Sequence, residues 1–544
     1  MAQNPPGFRG VWRTDDAARA VYSEAAGIHR IQPQAVAVPR DADDVATLVR
    51  WAASEGMTLT PRGAGSSMAG AALGQGVIVD LSALDRIDSV NAAALTVRVQ
   101  PGALCGAVDT AARRGGLRFP VDPSSARFCT VGGMAATNAA GTHTLRFGPI
   151  RAWVEALECV FANGSRSWIR RSEAPPDVPA IARFEAIASE LRDAELRAPS
   201  RRSGLRKESS GYGLADWARS GSLVDLLVGS EGTLALFTSL ELRLTPIPGA
   251  TGTLLAAFPT IEAAAAAAAV AAELNASACE LLDRTFLEIA RLGGPLPVPD
   301  DADCVLLVEV EESSAARLAE VAAALATGFR DAGASHAEAT LDPARAAQLW
   351  RVRHAASPVL AAMGRAAISM QIIEDGAVPP ARLPEYVRGV RAALVRHDFP
   401  GVLFGHAGDG HLHVNVLVDP ASDGWRQRVE SLFGDVVVLT ASLGGTLSGE
   451  HGDGRLRAGA LSRLWPAASV ARMLAVKQAF DPDGVLNPGV KFPSPGAPAL
   501  GGPVKYDPNL SPLPDAARRV LDRVQRERIW DRPRLTLLAE ESDG

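Results

Sequence analysis

At 544 residues and 56.8 kDa the chain is too long for one hydrophobic core, so at least two domains are expected. Its 47% hydrophobic and 21% charged residues are those of a soluble globular protein, and a net charge of -6, from 55 basic against 61 acidic side chains, leaves no electropositive footprint for nucleic acid. Five cysteines without a CxxC spacing argue against structural zinc, iron-sulfur clusters and a disulfide framework, and fit a reducing cytosol. The first residues, MAQNPPGFRGVWRTDD, lack an apolar core of signal-peptide length, and no uncharged apolar run spans a bilayer, so a cytoplasmic protein is expected.

Residues 1–30 read as a loosely packed lead-in, and strand and helix patterns alternate from Gln34 onward. AVAVPRDADDVATLVRWAASEG reads as strand, turn and helix, TLTPRGAGSSMAG as a strand entering a glycine loop, and VIVDLSAL and LTVRVQPGA as strands. A helix is expected at 103–113, followed by RFPVDPSSARFCTVGGMAATNAAG, whose Gly, Pro and Ser content reads as a functional loop. Strands are expected at 154–162 and 223–228, then GSEGTLALFTSLELRLTPIP, with Pro246 and Pro248 marking a boundary. Beyond it come an LLAAF strand, an alanine helix capped by Thr260, CELLD and CVLLVEVEE strands, a helix at 315–332 and an HAEATL strand. That is the order of a ferredoxin-like split sandwich with helices on one face. Helices at 344–363 and 380–396 lead to a hairpin at 401–418, and after 493 a proline-rich stretch ends in a charged helix at 515–530. The chain thus reads as α+β: a lead-in at 1–30, domains at 31–248 and 249–492, and a tail at 493–544.

Two segments concentrate chemistry: FGHAGDGHLHVN at 404–415 and SGEHGDG at 448–454. His406, His411 and His413 fall in the first, and His451 stands beside Glu450 in the second. Imidazole nitrogens with a carboxylate suit a divalent cation such as zinc or manganese, with one position left to substrate. In the hairpin His406 faces the return arm, where His411, His413 and Asn415 share a face; the period leaves His411 and His413 as equal candidates. Glu450 and His451 are adjacent and reach one site only if the backbone bends, which Gly449, Gly452 and Gly454 permit. A lone histidine of this kind is commonly a surface residue, so the weight lies on two separated segments together.

PRGAGSS, at 61–67, places Pro61, Arg62, Gly63, Ala64, Gly65, Ser66 and Ser67 where backbone amides and hydroxyls can converge on an anion. The spacing is neither a Walker loop nor a GxGxxG fingerprint, which argues against ATP and ordinary nicotinamide binding. A second loop of the same composition, VGGMAATNAAG at 131–141, makes a pair that suits a diphosphate.

In this order PRGAGSSMAG, FPVDPSS, TVGGMAATNAAGTHTLRFG, KESSGYGL and GSEGTLALF resemble the PCMH-type flavin domain of the vanillyl-alcohol-oxidase superfamily. ELLDR at Glu280, LWRVR at Leu349, the histidine hairpin, GEHGDG and FDPDGVLNPG at Phe480 resemble the second half of its D-lactate, glycolate and D-2-hydroxyglutarate dehydrogenase branch. The resemblance runs over 34–492 and leaves the tail outside. It implies a two-subdomain FAD-binding domain, then a ferredoxin-like antiparallel-sheet substrate domain and a helical C-terminal segment. FAD would lie with its diphosphate near Arg62, Gly63, Gly65 and Ser66, with contacts from Pro123, Ser124, Gly132, Gly133, Thr137, Asn138 and Gly141. Gly232, Leu234 and Asn487 complete the implied cofactor set. PRGAGSS holds no histidine and His143 is the one nearby candidate for a tether, so non-covalent FAD is expected.

For the second half the resemblance implies metal ligands His406, His413 and Glu450, with His411 supporting them, His451 as catalytic base and Arg353 as carboxylate clamp, Asn415 nearby. Arginine suits that task because its planar fork pairs bidentately with a carboxylate. The implied reaction is oxidation of a small D-2-hydroxy acid, D-lactate first and glycolate second. Electrons would pass to a quinone, a cytochrome, an electron-transfer flavoprotein or a separate iron-sulfur subunit. A homo-oligomer is expected, as is peripheral contact of the terminal helix with an anionic membrane surface, although a solvated face explains its mixed charge more simply. The alternatives are D-2-hydroxyglutarate as substrate, an ether-lipid synthase-like reaction without net oxidation, and a non-catalytic metal-binding protein. Ile373 stands where the 2-hydroxyglutarate branch carries a lysine, which favours a monocarboxylate unless Arg365 or Arg455 compensates; Ala235 replaces a family glycine.

Overall fold

Short runs of β-branched residues build the first sheet of the computed structural model, which describes residues 3–200, 202–356, 359–360, 368–527, 529 and 532–539. Its strands lie in the order Val11–Arg13, Ala35–Val38, Val77–Asp80, Leu59–Arg62, the last three parallel. AVAV and VIVD are buried at every position, as parallel strands covered on both faces must be. Helix Ala42–Glu55 lies against this sheet, capped by Asp41, whose side chain accepts from the Asp44 amide, and stopped by Gly56 at φ 64°. The first thirty residues are not loose: Val11–Arg13 adds an antiparallel edge, and Ala18, Val21 and Tyr22 are fully buried.

A second, antiparallel sheet orders Thr96–Val99, Leu236–Arg243, Val154–Val160 and Arg166–Arg170. Two expectations fail here. Residues 223–228 are a helix, Leu223–Leu227, rather than a strand, because an unbroken apolar run carries no period to choose between them and the Ser222 cap on the Val224 amide decides. The 131–141 loop is mostly helix Val131–Thr137, started by Thr130 accepting from Gly133 and ended by Asn138 at φ 53°.

The third sheet has eight strands, all antiparallel, in the order His336–Thr340, Ala250–Phe258, Cys304–Glu312, Ala278–Asp283, Gly401–His406, His411–Val418, Ile368–Met370, with Gly376–Ala377 also on His411–Val418. Helices Ile261–Glu273, Ala315–Asp331, Leu383–Arg396 and Trp425–Ser442 cover one face, and Thr260 caps the first of them. The expected single layer is wrong: Arg284–Arg291 and Pro343–His354 cover the other face over Leu255, Leu282, Val305 and Leu307. The expected 344–363 helix reaches beyond Pro343–His354 into residues outside those described. In the tail, Asp515–Glu527 is followed by a second helix, Arg532–Ala539, and the 515–530 expectation ends outside the described residues. Arg518 and Arg523 pair with Asp522 and Glu527 of their own helix, as a solvated face would. Among the described residues no helix is long and apolar enough to cross a membrane. All five cysteines are buried and free.

The halves meet at a charged seam. Glu231 of GSEGT accepts from the backbone amides of Asp453 (2.8 Å) and Gly454 (2.9 Å) of GEHGDG. Lys491, 0% exposed, lies 2.9 Å from Glu231 and 3.2 Å from Asp453. Burial opposes its charge, but the two carboxylates hold its pKa above the ordinary value. Removing the cation leaves two carboxylates buried without it, so Lys491→Met should destabilise the protein by on the order of 3–5 kcal/mol, read as a lower urea-unfolding midpoint, with Lys491→Arg intermediate.

Candidate active site

The hairpin pairs Phe404 with His413 and His406 with His411, so Phe404, His406, His411, His413 and Asn415 all project from one face while Leu403, Leu412, Val414 and Val416 fill the core on the other. Alternation in the sequence therefore becomes an imidazole-rich face. The second segment arrives by a bend: Gly452 takes φ 81°, where a Cβ would sit 2.7 Å from the Glu231 carboxyl carbon.

His406 Nε2, His413 Nε2 and Glu450 Oε1 form a triangle with all three edges 3.4 Å. A tetrahedral ion with bonds of about 2.0–2.2 Å spaces its ligand atoms by roughly 3.3–3.6 Å, so the donor set and its spacing fit such a cation. Each of these three side chains is held from behind, as metal-ligating groups are. His406 Nδ1 is bonded to Glu280, His413 Nδ1 donates to the Glu374 carbonyl at 2.7 Å, and the other oxygen of Glu450 accepts from Lys207 Nζ at 2.7 Å. Burial opposes charge on His406, but Glu280 raises its pKa to about 9. His411, which the strand period could not separate from His413, turns Nε2 to Asp375 at 2.9 Å, and burial, then His413, hold it neutral with a pKa of about 3.

His451 Nδ1 lies 3.1 Å from Glu374, and its Nε2 is 3.8 Å from Glu450. Burial works against its charge, but Asp375 and Glu374 prevail and lift its pKa to about 9; a divalent charge nearby acts in the opposite direction. Arg353 donates through Nε to Glu280 at 2.7 Å and lies over the Phe404 ring. Arg353, Asn415, His451 and all three triangle residues line one cavity of about 2040 Å³, which extends to the glycine loops of the first half.

Residues 247–490 match the family described as FAD linked oxidases, C-terminal domain, and residues 33–170 match the FAD binding domain family. The glycolate oxidase subunit GlcD of Bacillus subtilis is 30% identical over 485 residues, covering 88% of this chain and 93% of that protein. The chain belongs to the FAD-linked oxidase family, within the vanillyl-alcohol-oxidase superfamily. A D-2-hydroxyglutarate dehydrogenase of Xanthomonas citri (86% and 90% covered) and a D-lactate dehydrogenase of Archaeoglobus fulgidus (84% and 90%) are each 30% identical to this family member. The fold is shared with 4-ethylphenol oxidase from Gulosibacter chungangensis, at TM-score 0.64 and 16% identity over 89% of this chain and 95% of the other.

For an FAD-linked oxidase the cavity must hold a dinucleotide, and its volume exceeds the roughly 300–1,000 Å³ of ordinary ligand sites. The PRGAGSS loop lines it throughout, and Ser67 Oγ is buried there without a hydrogen-bond partner among the described residues, a donor suited to an anion. The residues fit the group. Gly63 passes so close to Thr130 that a Cβ would lie 2.2 Å from its Oγ1, which packs the two loops together. Pro123, Ser124, Gly132 and Gly133 also line the cavity, as do Thr137, Gly141, Gly232 and Ala235.

Three of the expected cofactor residues do not. Leu234 is fully buried in the apolar core. Asn138 ends a helix with its side chain on the Arg151 amide. Asn487 donates to the carbonyls of Ala71 and Glu231. Arg62 lines the cavity, but its guanidinium turns inward to the carbonyls of Tyr22 and Glu24.

Sequence reasoning missed Glu280, Lys207, Glu374, Asp375 and Arg457. Glu280, in ELLDR, and Lys207, in KESSGYGL, stood in recognised motifs without an assigned task. Their signal was a charged residue inside an otherwise buried stretch. Arg457 pairs with Glu374 beneath His451.

His143, the candidate tether, bridges the halves instead: Nδ1 to Asp122 at 2.6 Å and Nε2 to Glu309 at 2.7 Å. Glu311 lies 3.8 Å away and is itself paired with Arg118. Burial lowers the His143 pKa, but Asp122 and Glu309 outweigh it and leave it well above the ordinary imidazole value. A raised folded-state pKa means that this stabilisation is complete below about pH 6.5, the unfolded value, and is lost as pH rises through the folded pKa. The difference in unfolding midpoint between wild type and His143→Asn should therefore be largest near about pH 6 and shrink as pH rises through the raised folded-state pKa; a pH-independent difference would show a neutral imidazole.

Proposed function

We propose that this FAD-linked oxidase is a dehydrogenase that oxidises a small D-2-hydroxy acid to the 2-oxo acid, D-lactate first and glycolate second. One observation carries the reading: Arg353, the His406–His413–Glu450 triangle and His451 open onto the same cavity as the PRGAGSS loop. The hydroxy-acid and hydroxy-acid-derived names of the relatives support it.

FAD, when bound, would supply the two-electron acceptor, and His406, His413 and Glu450 would hold a zinc or manganese ion that would supply a Lewis acid. Arg353 is anchored by Glu280 through Nε, which leaves its terminal nitrogens to grip the substrate carboxylate. His451, in its neutral form, accepts the hydroxyl proton at Nε2 while Glu374 holds Nδ1. Asn415, on the same strand face, orients the acid beside Arg353. The α-hydrogen leaves with its electron pair and the carbonyl forms, so the product is the 2-oxo acid. Electrons then leave the protein to a quinone, a cytochrome, an electron-transfer flavoprotein or a separate iron-sulfur subunit.

A monocarboxylate is favoured over D-2-hydroxyglutarate. Ile373 is buried in the apolar core, and Arg455 turns to the carbonyls of Leu73 and Pro488, outside the cavity; Arg365 lies outside the described residues. The hydrophilic hairpin also favours a small polar substrate over the acyl chain of an ether-lipid synthase reaction.

Anaerobic D-lactate should bleach the flavin absorbance of the purified protein, with glycolate slower, and chelation should slow both; absorbance that persists with every small 2-hydroxy acid would overturn the reading. Arg353→Lys should raise KM more than it lowers kcat, because a point charge replaces a fork. Glu280→Gln should lower divalent-metal affinity about 10–100-fold, as loss of such a supporting group does, measured by competition with a fluorescent chelator.

A further inference from the structure

The two ends of the chain fold onto each other beside the PRGAGSS loop. Residues 16–30 and 503–539 lie outside both matched family segments, 33–170 and 247–490. Ala18, Val21 and Tyr22 nonetheless share one apolar cluster with Ala517, Leu521 and Leu538. Backbone hydrogen bonds join them, from Arg30 to Pro503 (3.0 Å) and from Lys505 to Ile28 (2.7 Å). Side chains add more, with Arg13 donating to the Leu538 carbonyl and Arg30 to that of Ser511.

This packed pair forms part of the cavity wall. Leu513, Leu521, Val524 and Gln525 line it from the tail, as does Arg534, which is 1% exposed. Arg534 Nη1 donates to the carbonyl of Ala64, inside PRGAGSS, at 2.9 Å. Its guanidinium and that of Arg62 both sit against the Tyr22 ring, at 6.0 and 5.1 Å from its centre. Burial, and then the charge of Arg62, pull the Arg534 pKa down to about 9, with Tyr22, Asp80 and Glu24 acting in the opposite direction.

We infer that the C-terminal tail is a built part of the flavin site: Arg534 faces the diphosphate of FAD from behind Ala64, and the apolar side of helix Asp515–Glu527 walls its adenosine half. The inference rests on the flavin reading above. Charge from Arg534 reaches the diphosphate through the loop it braces, and the wall excludes water from that end of the cavity, strengthening the attraction.

Deflavinated full-length protein, Arg534→Met, Arg534→Lys and a chain ended after Pro512 are titrated with FAD and with riboflavin, followed by flavin fluorescence. Arg534→Met should weaken FAD binding roughly ten- to hundredfold, Arg534→Lys less, and neither should alter riboflavin binding, since riboflavin has no diphosphate. In the wild type, added FAD should slow proteolysis of the tail, a readout that needs no variant to fold. Wild-type FAD affinity in both Arg534→Met and the shortened chain, or a tail cut equally fast with and without FAD, overturns the inference and leaves the flavin reading intact. Full-length protein that takes up no FAD overturns both.

Discussion

The site depends on a carboxylate in one half of the chain receiving the backbone of the other. Glu231 accepts two successive amides of the GEHGDG loop while its own backbone sits in the left-handed region at φ 53°, a conformation a non-glycine residue keeps only where its surroundings hold it. Burial raises the pKa of Glu231, and Lys491 opposes that rise by supplying the countercharge. Two buried amides, a carboxylate and an ammonium thus satisfy one another across the seam, and none could be left alone there at small cost. This places Glu450 and His451, which follow the hairpin in sequence, against the loops of the flavin-binding half.

Lys207 extends the same logic to Glu450. Its side chain is 1% exposed and bonds both Glu450 and the Gly141 carbonyl, so the half that supplies none of the triangle's histidines positions the carboxylate that completes it. Glu280 does the equivalent task within the second half. It is fully buried, and although burial opposes its charge, His406 and Arg353 hold its pKa far below the usual carboxylate range. One carboxylate therefore orients both the imidazole and the guanidinium.

The eight-stranded sheet explains why so polar a cluster can be rigid. The hairpin's alternate residues are Leu403, Leu412, Val414 and Val416, buried beneath helices Leu383–Arg396 and Trp425–Ser442, so the register that fills the core also sets the histidine face. A slip by one residue would turn the imidazoles into the apolar helical layer and the leucines and valines toward the cavity. The second helical layer, Arg284–Arg291 and Pro343–His354, then brings Arg353 over Phe404 on that same face.

Much of this was legible in the chain. The hairpin, its AGDG turn, the Thr260 cap and the polar face follow from nearest-neighbour stereochemistry and a period of two, and the resemblance identified the superfamily. Leu223–Leu227 was misread because an all-apolar run has no period, and the first thirty residues because their partners lie some 480 positions away in the tail. The strand period left His411 and His413 open and the resemblance chose His413, whereas the removal of Leu234, Asn138 and Asn487 from the cavity wall and the contacts of Glu280, Lys207 and Glu231 were decided only by the tertiary structure. Sequence determines which face a side chain takes; which atom lies 3.4 Å from which other depends on packing between segments hundreds of residues apart, and no local rule encodes that distance.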